Sequence, residues 1–241
     1  MTDPVERIHL LLDACTEEQR RAIFSRLRQE FPIHALEEKL NTQAEIILEA
    51  ISRAPDITQR GVRGIIAESA FVTDVVGPLI QRGWRDETIE GEYPYDVLLD
   101  DGHGRVRVQV KMQRLSKGVP TTRKDYPGFY VVETQRTRTG KRRTPGEGTG
   151  GETDENTRPY RVGDFDILAV SMHPSTRSWS DFRYTVAEWL LPRPDDARLL
   201  RVFQPVALHP NDDWTDDFLE AIGWLRSHQR KTIRSRADPL A

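Results

Sequence analysis

A carboxylate, an amide and a lysine stand at a spacing that could hold a metal ion beside a cationic group. Gln109 and Lys111 lie in the alternating segment 105–111, and side chains two residues apart on a β-strand point to the same side. Asp96 precedes them across a turn at residues 100–104, so a hairpin would bring its carboxylate near the amide. Carboxylate and amide oxygens are hard ligands that suit Mg²⁺. The lysine ammonium would then lie beside an attacking water or beside charge that develops on a phosphate.

Glu68 supplies a second carboxylate. It lies in the apolar stretch 65–71 of a predicted helix over residues 64–81, where a carboxylate is expensive to bury unless it is paired or bound to a metal. Asp96 opens an apolar strand directly after Pro94 and Tyr95, where no structural duty is evident. We therefore expect Glu68 and Asp96 to be functional residues.

The surrounding pattern predicts an α/β fold that positions these groups. Strict alternation over 105–111 predicts a strand with Val106, Val108 and Val110 on its buried face. The continuous apolar run 165–170 is typical of a buried central strand. Further strands are predicted over 95–99, 129–133 and 183–186, and a last amphipathic helix over 213–228.

The N-terminal part of the chain predicts a separate helical subdomain. Thr16 and Gln19 have the form of a capping box, Pro32 ends the helix behind it, and a second helix is predicted over 34–53. We expect this subdomain over residues 1–58 and one main domain over residues 59–241. Within the main domain, the Gly-, Thr- and charge-rich segment at about 134–161 cannot support a core and predicts a mobile loop.

Taken in chain order, these residues resemble a known enzyme core. Glu68 on a helix, Gly83-Trp84, the run 93–96 ending at Asp96, and Gln109-Val-Lys111 resemble the PD-(D/E)XK nucleases, in the Mrr-like variant that has Gln before the lysine. The resemblance covers roughly residues 64–170. It implies a restriction-endonuclease-like core, with a central mixed β-sheet flanked by helices, and Mg²⁺-dependent hydrolysis of DNA phosphodiesters.

The resemblance also implies a role for each residue. Asp96 would be the principal metal ligand, Glu68 a supporting acidic residue, Gln109 a weaker ligand and Lys111 the catalytic lysine. The chain departs from the family pattern at one point, because its proline stands two residues before the aspartate and not next to it. Gln109 removes one negative charge from the site, which would lower its affinity for a metal.

A nuclease of this kind needs residues that contact DNA, and two polar or basic segments are candidates. Arginine and lysine suit phosphates, arginine also suits guanine edges, and glutamine suits adenine. The candidates are Arg114, Lys117, Arg123, Lys124, Gln135, Arg136, Arg138, Lys141, Arg142 and Arg143. The N-terminal subdomain would serve dimerisation or contact DNA beside the core.

Composition narrows the class of protein. The net charge of -3 gives no global basic character, so DNA must be bound by a local positive surface. Cys15 is the only cysteine, which excludes a disulfide framework and a cysteine-based zinc site. An acidic N-terminus and the lack of an apolar run near 20 residues favour a cytoplasmic protein without a membrane span. No Gly-rich loop ends in Lys-Ser or Lys-Thr, so an ATP-driven enzyme is not expected.

The most specific hypothesis is a type II restriction endonuclease. Cleavage at a palindromic site predicts a homodimer, and a cognate DNA methyltransferase is expected in the same system without a stable complex. The alternatives are a repair or junction-resolving nuclease with the same core, and a non-catalytic DNA-binding protein that uses the helix pair around residues 31–34. Gln109 and Lys111 could also be the solvated face of an edge strand, and Asp166 could form a structural ion pair with a nearby arginine.

Overall fold

The computed structural model describes residues 3–123, 126–135 and 159–233. The chain divides into two compact units, Met1–Gly61 and Val62–Ala241. The helices are α1 (Pro4–Ala14), α2 (Glu17–Glu30), α3 (Leu36–Leu40), α4 (Ala44–Ser52), α5 (Asp56–Phe71), α6 (Gly77–Gln81), α7 (His173–Thr176) and α8 (Phe218–Arg226). The strands are β1 (Arg85–Asp86), β2 (Val97–Asp100), β3 (Arg105–Met112), β4 (Leu115–Ser116), β5 (Val119–Pro120), β6 (Thr122–Arg123), β7 (Tyr126–Glu133), β8 (Ile167–Ser171), β9 (Phe182–Val186) and β10 (Phe203–Ala207).

The first unit is helical, as the sequence predicts. The capping box of Thr16 and Gln19 is confirmed at the start of α2, and α2 ends at Glu30, before the proline that cannot continue it. The single helix expected over 34–53 is wrong. Asn41 adopts a left-handed conformation with φ 49° and ends α3, because asparagine tolerates this C-terminal position, and α4 begins three residues later.

A buried ion pair joins the helices of this unit. Arg28 on α2 contacts Glu37 on α3, and its Nη2 lies 2.8 Å from Glu45 Oε2 on α4. Glu37 also accepts hydrogen bonds from the backbone N–H groups of Ile33 and Ala44, each at 2.6 Å. Glu37 is only 8% exposed. The unit is therefore organised around a polar cluster.

A long helical segment leads into the second unit. α5 begins at Asp56, earlier than the predicted residue 64, and a π-helical turn at Val72–Val76 joins it to α6. By length and composition alone the continuous segment Asp56–Gln81 could cross a membrane, which the sequence analysis did not expect. A core helix passes the same test, and Phe71 and Val76 lie fully buried in the core of the second unit.

A central mixed sheet forms the second unit, and helices flank it. Its strand order is β1-β2-β3-β8-β9, with β3 and β8 parallel and the other pairs antiparallel. The core cluster combines side chains of this sheet with Phe71 of α5 and Phe218 of α8. The ring of Phe71 lies 5.6 Å from that of Phe182 and 5.8 Å from that of Phe218. The strands predicted over 95–99, 105–111, 165–170 and 183–186 are confirmed with small shifts at their ends.

A second sheet was not expected. β7, predicted as a strand over 129–133, pairs with β6 and β10 and lies outside the central sheet. A bridge between Gln113 and Val132 links the end of β3 to β7. Near the C-terminus, α8 covers only Phe218–Arg226, because Asp217 caps its start by accepting a hydrogen bond from Leu219 N–H. The loop predicted at about 134–161 lies mostly outside the described residues.

Candidate active site

The β2–β3 hairpin places Asp96 beside Gln109. Val97 is opposite Val108 and Asp100 is opposite Arg105, while the N–H of Asp96 donates to Val108 O at 2.9 Å. One carboxylate oxygen of Asp96, Oδ2, then accepts hydrogen bonds from Val110 N–H at 2.8 Å and from Gln109 Nε2. The aspartate side chain therefore continues the hydrogen-bond ladder where β2 begins. This is a structural duty that the sequence did not reveal.

Gln109 is held inside the sheet. It is 1% exposed, and its Nε2 also donates to Val110 O at 3.3 Å. β3 lies between β2 and β8, so the alternative of a solvated edge strand is wrong. Val106, Val108 and Val110 are buried as predicted. Both sides of β3 are thus enclosed near Gln109, and a polar side chain at this position needs partners.

Lys111 lies on the same side of β3 as Gln109, near the tyrosine Tyr160. Its Nζ lies 5.5 Å from the centre of the Tyr160 ring and forms a hydrogen bond with the tyrosine hydroxyl. Burial acts to lower the pKa of Lys111, but the Tyr160 oxygen and the negative charges of Asp96 and Glu68 outweigh it, so the pKa is raised. Lys111 is therefore a cation at neutral pH.

The two carboxylates influence each other. Burial, followed by the negative charge of Asp96, raises the pKa of Glu68, and Lys111 acts in the opposite direction. Burial also raises the pKa of Asp96, against the charge of Lys111 and the hydrogen bonds from Val110 and Gln109. Glu68 and Asp96 are therefore close enough to interact electrostatically, and both are partly removed from water. Titratable groups whose pKa values are shifted and that share one location are typical of functional sites.

This donor set suits magnesium. The oxygens available to a cation are the carboxylates of Glu68 and Asp96 and the amide oxygen of Gln109, all hard ligands. Magnesium needs one or two protein carboxylates, because water and substrate phosphates complete its octahedral shell. Within the described parts of the chain, no group of three or more His, Cys, Asp or Glu side chains could hold a metal. Oxygen ligands of this kind are those that magnesium accepts, whereas zinc prefers nitrogen and sulfur.

The residues predicted to bind DNA differ in their surroundings, and several of them lie outside the described residues. Arg114 Nη1 pairs with Glu133 Oε2 at 2.8 Å, and its guanidinium lies 4.7 Å from the centre of the Phe203 ring. Gln135 also contacts Glu133. Lys117 is exposed at the turn between β4 and β5. Lys124, Arg136, Arg138, Lys141, Arg142 and Arg143 lie outside the described residues, as does the side chain of Arg123.

Two alternatives raised by the sequence can be compared with the structure. Asp166 forms an ion pair with Arg107, with Nη2 to Oδ1 at 2.7 Å, and also accepts a hydrogen bond from Arg107 N–H at 2.7 Å. Its role is therefore structural. In the first unit, α3 has five residues, and its Glu37 is buried in the pair with Arg28. A recognition helix at this position would be short and acidic, which argues against a helix-turn-helix that binds DNA.

Two residues near the site were not predicted from the sequence. Tyr160, which contacts Lys111, is 3% exposed and packs edge-on against Phe165 with ring centres 5.3 Å apart. Gln113 follows Lys111 by two residues and is fully buried, and its amide atoms have no hydrogen-bond partner in the described part of the chain. The period-2 pattern of Gln109, Lys111 and Gln113 could have indicated the second of these residues.

Comparisons with known proteins add little to this geometry. No family model matches the chain, and no curated protein matches it. Among solved structures, the chain is similar to a bacterial homing endonuclease, I-Ssp6803I, with 24% identity and a TM-score of 0.33 over 53% of this chain and 69% of that chain. A TM-score at this level does not establish a shared fold, so any functional conclusion rests on the site itself.

Proposed function

We propose that this protein is a Mg²⁺-dependent DNA endonuclease. The observation that supports the proposal is the convergence of Glu68, Asp96, Gln109 and Lys111, which come from a helix and a hairpin. Asp96 and Gln109 are hydrogen-bonded, and Lys111 interacts electrostatically with both carboxylates. Two acids and an amide can hold a divalent cation, and a charged lysine can stabilise the negative charge that develops when a phosphodiester is hydrolysed.

Each side chain has a role in the proposed reaction. Glu68, Asp96 and Gln109 would hold Mg²⁺, and the ion would supply Lewis-acid activation of the phosphate and of a water. The water oxygen forms a bond to phosphorus and loses a proton, one phosphorus–oxygen ester bond breaks, and the departing oxygen takes up a proton, so that no net proton is gained or lost. Lys111 donates hydrogen bonds to the phosphate oxygens as negative charge develops on them. Tyr160 holds the lysine in place.

A type II restriction endonuclease is the most specific form of this proposal. Such an enzyme acts as a homodimer on a palindromic site, beside a separate DNA methyltransferase in the same system. A repair or junction-resolving nuclease would share these residues and differ only in its preferred DNA. The choice between them rests on substrate, so the first experiment must vary the substrate.

A cleavage assay tests the proposal. The purified protein is incubated with unmethylated phage DNA, methylated DNA and a four-way junction, each with Mg²⁺ or with EDTA. We expect Mg²⁺-dependent cleavage, with discrete fragments of the unmethylated DNA if the enzyme is site-specific. Lys111→Ala is the matched control, because it removes the ammonium and leaves the Asp96–Gln109 hydrogen bond in place. If Lys111→Ala cleaves as well as the wild type, or if no DNA is cleaved under any condition, the proposal is wrong.

A further inference from the structure

Two segments of the second unit extend beyond the edge of the sheet where Lys111 lies. β3 and β8 are parallel, so their C-terminal ends meet at one edge. The β4–β5 hairpin follows β3, and α7 follows β8. These segments pack against each other through β5 and α7. Lys111 is the penultimate residue of β3, so both segments follow from the end of the sheet at which Lys111 lies.

Each segment presents one exposed cation at its turn. Lys117 and Gly118 join β4 to β5 with φ values of 51° and 77°, which is typical of a tight hairpin turn. Arg177 ends α7 with φ 63°. A positive φ costs energy for a residue with a side chain, and glycine or asparagine would fit at lower cost. Strain of this kind is often retained for a functional reason.

The turn that carries Arg177 is held in one conformation. Its N–H donates to His173 O at 2.8 Å, and the rings of His173 and Trp179 stack with their centres 3.7 Å apart. Thr176 Oγ1 accepts a hydrogen bond from Ser178 N–H at 3.3 Å. The backbone on both sides of Arg177 is therefore fixed by neighbouring contacts, so the exposed side chain always extends from the same point of the turn.

Among the residues that the structure describes, neither cation is paired with a carboxylate. Lys117 and Arg177 have no ion pair within the described ranges, whereas other arginines of the unit do. Arg85 pairs with Asp100, for example, and Arg105 with Glu87. The positive charge of Lys117 and Arg177 is therefore available to an external anion, at the edge where the proposed reaction takes place.

We propose that Lys117 and Arg177, here called the edge cations, bind the phosphate backbone of duplex DNA beside the phosphate that is cleaved. The inference rests on the proposed function and adds a binding surface to it. Contacts to phosphates fix the register of a protein on DNA without reading its sequence. The edge cations thus hold the duplex against the catalytic edge whatever the recognition sequence is.

The test measures DNA affinity against salt concentration. A fluorescently labelled duplex is titrated in EDTA, so that it is not cut, with wild type, Lys117→Gly, Arg177→Gly and the double variant. Each phosphate contact contributes about 0.9 to the slope of log affinity against log salt concentration. We expect the slope to fall by about 0.9 for each single variant and by about twice that for the double variant. The loss should be the same for duplexes of unrelated sequence.

The variants are chosen to separate charge from folding. Glycine removes the cation and suits the positive φ at both positions, so thermal stability should stay the same or rise. Arg177→Lys keeps the charge and should retain the wild-type slope. Arg198→Ala is the matched surface control, because Arg198 is exposed but paired with Asp196 at 2.9 Å, and it should also leave the slope unchanged.

The outcomes distinguish this inference from the proposed function. Wild-type protein that cuts DNA, together with a double variant whose salt slope is unchanged, would overturn the role of the edge cations and leave the nuclease intact. Wild-type protein that neither binds nor cuts DNA would overturn the proposed function, and the inference with it. A smaller slope for both glycine variants, with normal folding, would support the inference.

Discussion

Replacement of Asp96 by asparagine should separate the function of this carboxylate from its structural duty. In the structure, Asp96 Oδ2 accepts hydrogen bonds from Val110 N–H and from Gln109 Nε2. The amide oxygen of asparagine can accept both bonds, because it has the same size and two lone pairs. The substitution therefore keeps the end of the β2–β3 ladder, and it replaces the other carboxylate oxygen and the negative charge by a neutral NH2 group.

The expected magnitudes follow from these contacts. Burial raises the pKa of Asp96, so the charged form is disfavoured in the folded protein, and its removal offsets the weaker hydrogen bonds of an amide. We expect Asp96→Asn to change the free energy of unfolding by less than about 1 kcal/mol. Asp96→Ala leaves the N–H of Val110 without a partner, which costs about 1–3 kcal/mol. Cleavage should fall by at least about 100-fold in both variants, because each loses a ligand of the proposed cation.

Two measurements check the argument. Urea unfolding in EDTA gives the order of stability, with Asp96→Asn close to wild type and Asp96→Ala below it. Thermal unfolding with added Mg²⁺ then measures cation binding without any need for activity. A ligand at 100 times its Kd stabilises the folded state by about 2.7 kcal/mol, and we expect this gain in wild type and its loss in Asp96→Asn. The reasoning is refuted if Asp96→Asn is as unstable as Asp96→Ala, or if it still cleaves DNA.

Three further predictions test other contacts. Tyr160→Phe should lower kcat about ten- to hundredfold without changing the Kd for DNA, because it removes one hydrogen bond to a charged lysine. Tyr130→Phe is the control. An equal loss of kcat in both variants would refute a specific role of the Tyr160 hydroxyl. Hydrogen bonds from arginine and backbone groups lower the pKa of Glu37 to about 2. Its contribution to stability is therefore present above the unfolded pKa of about 4.3 and lost as pH falls towards 2. Circular dichroism of the wild type should show a loss of helix in that pH window, and Glu37→Gln should reduce this loss. If the acid transition of Glu37→Gln is the same as that of the wild type, the stabilising role of Glu37 is wrong. Phe71→Ala should destabilise the second unit by about 3–5 kcal/mol in urea unfolding, and a loss below 1 kcal/mol would show that Phe71 is not central to the core.

The β2–β3 hairpin could be predicted because its signals are local. Alternation over 105–111 determines which side chains share a face, and the glycine-rich turn before it sets the pairing with the preceding strand. The largest change from the prediction is the start of β2, which is Val97 and not residue 95. The reason is that the side chain of Asp96 takes a place in the ladder that a backbone group would otherwise fill.

Elements that depend on distant partners could not be predicted in the same way. β10 contains Pro205, which argues against a strand unless the strand lies at the edge of a sheet, and β10 is an edge strand paired with β7. Tyr160 reaches Lys111 from a segment far along the chain, and no spacing rule relates them. The break at Asn41 is different, because an asparagine between two apolar helical segments is a recognisable C-terminal signal.

The charges of the site indicate why DNA and a cation should bind together. Glu68 and Asp96 carry two negative charges when ionised, and Lys111 carries one positive charge, so the site alone has a net negative charge and repels a phosphate. A divalent cation would reverse that sign and relieve the repulsion from Asp96 that, after burial, raises the pKa of Glu68. By linkage, a phosphate bound at the site must then raise the affinity for the cation by the same factor. The edge cations are not part of this net charge, so they should retain duplex DNA even when EDTA removes the metal.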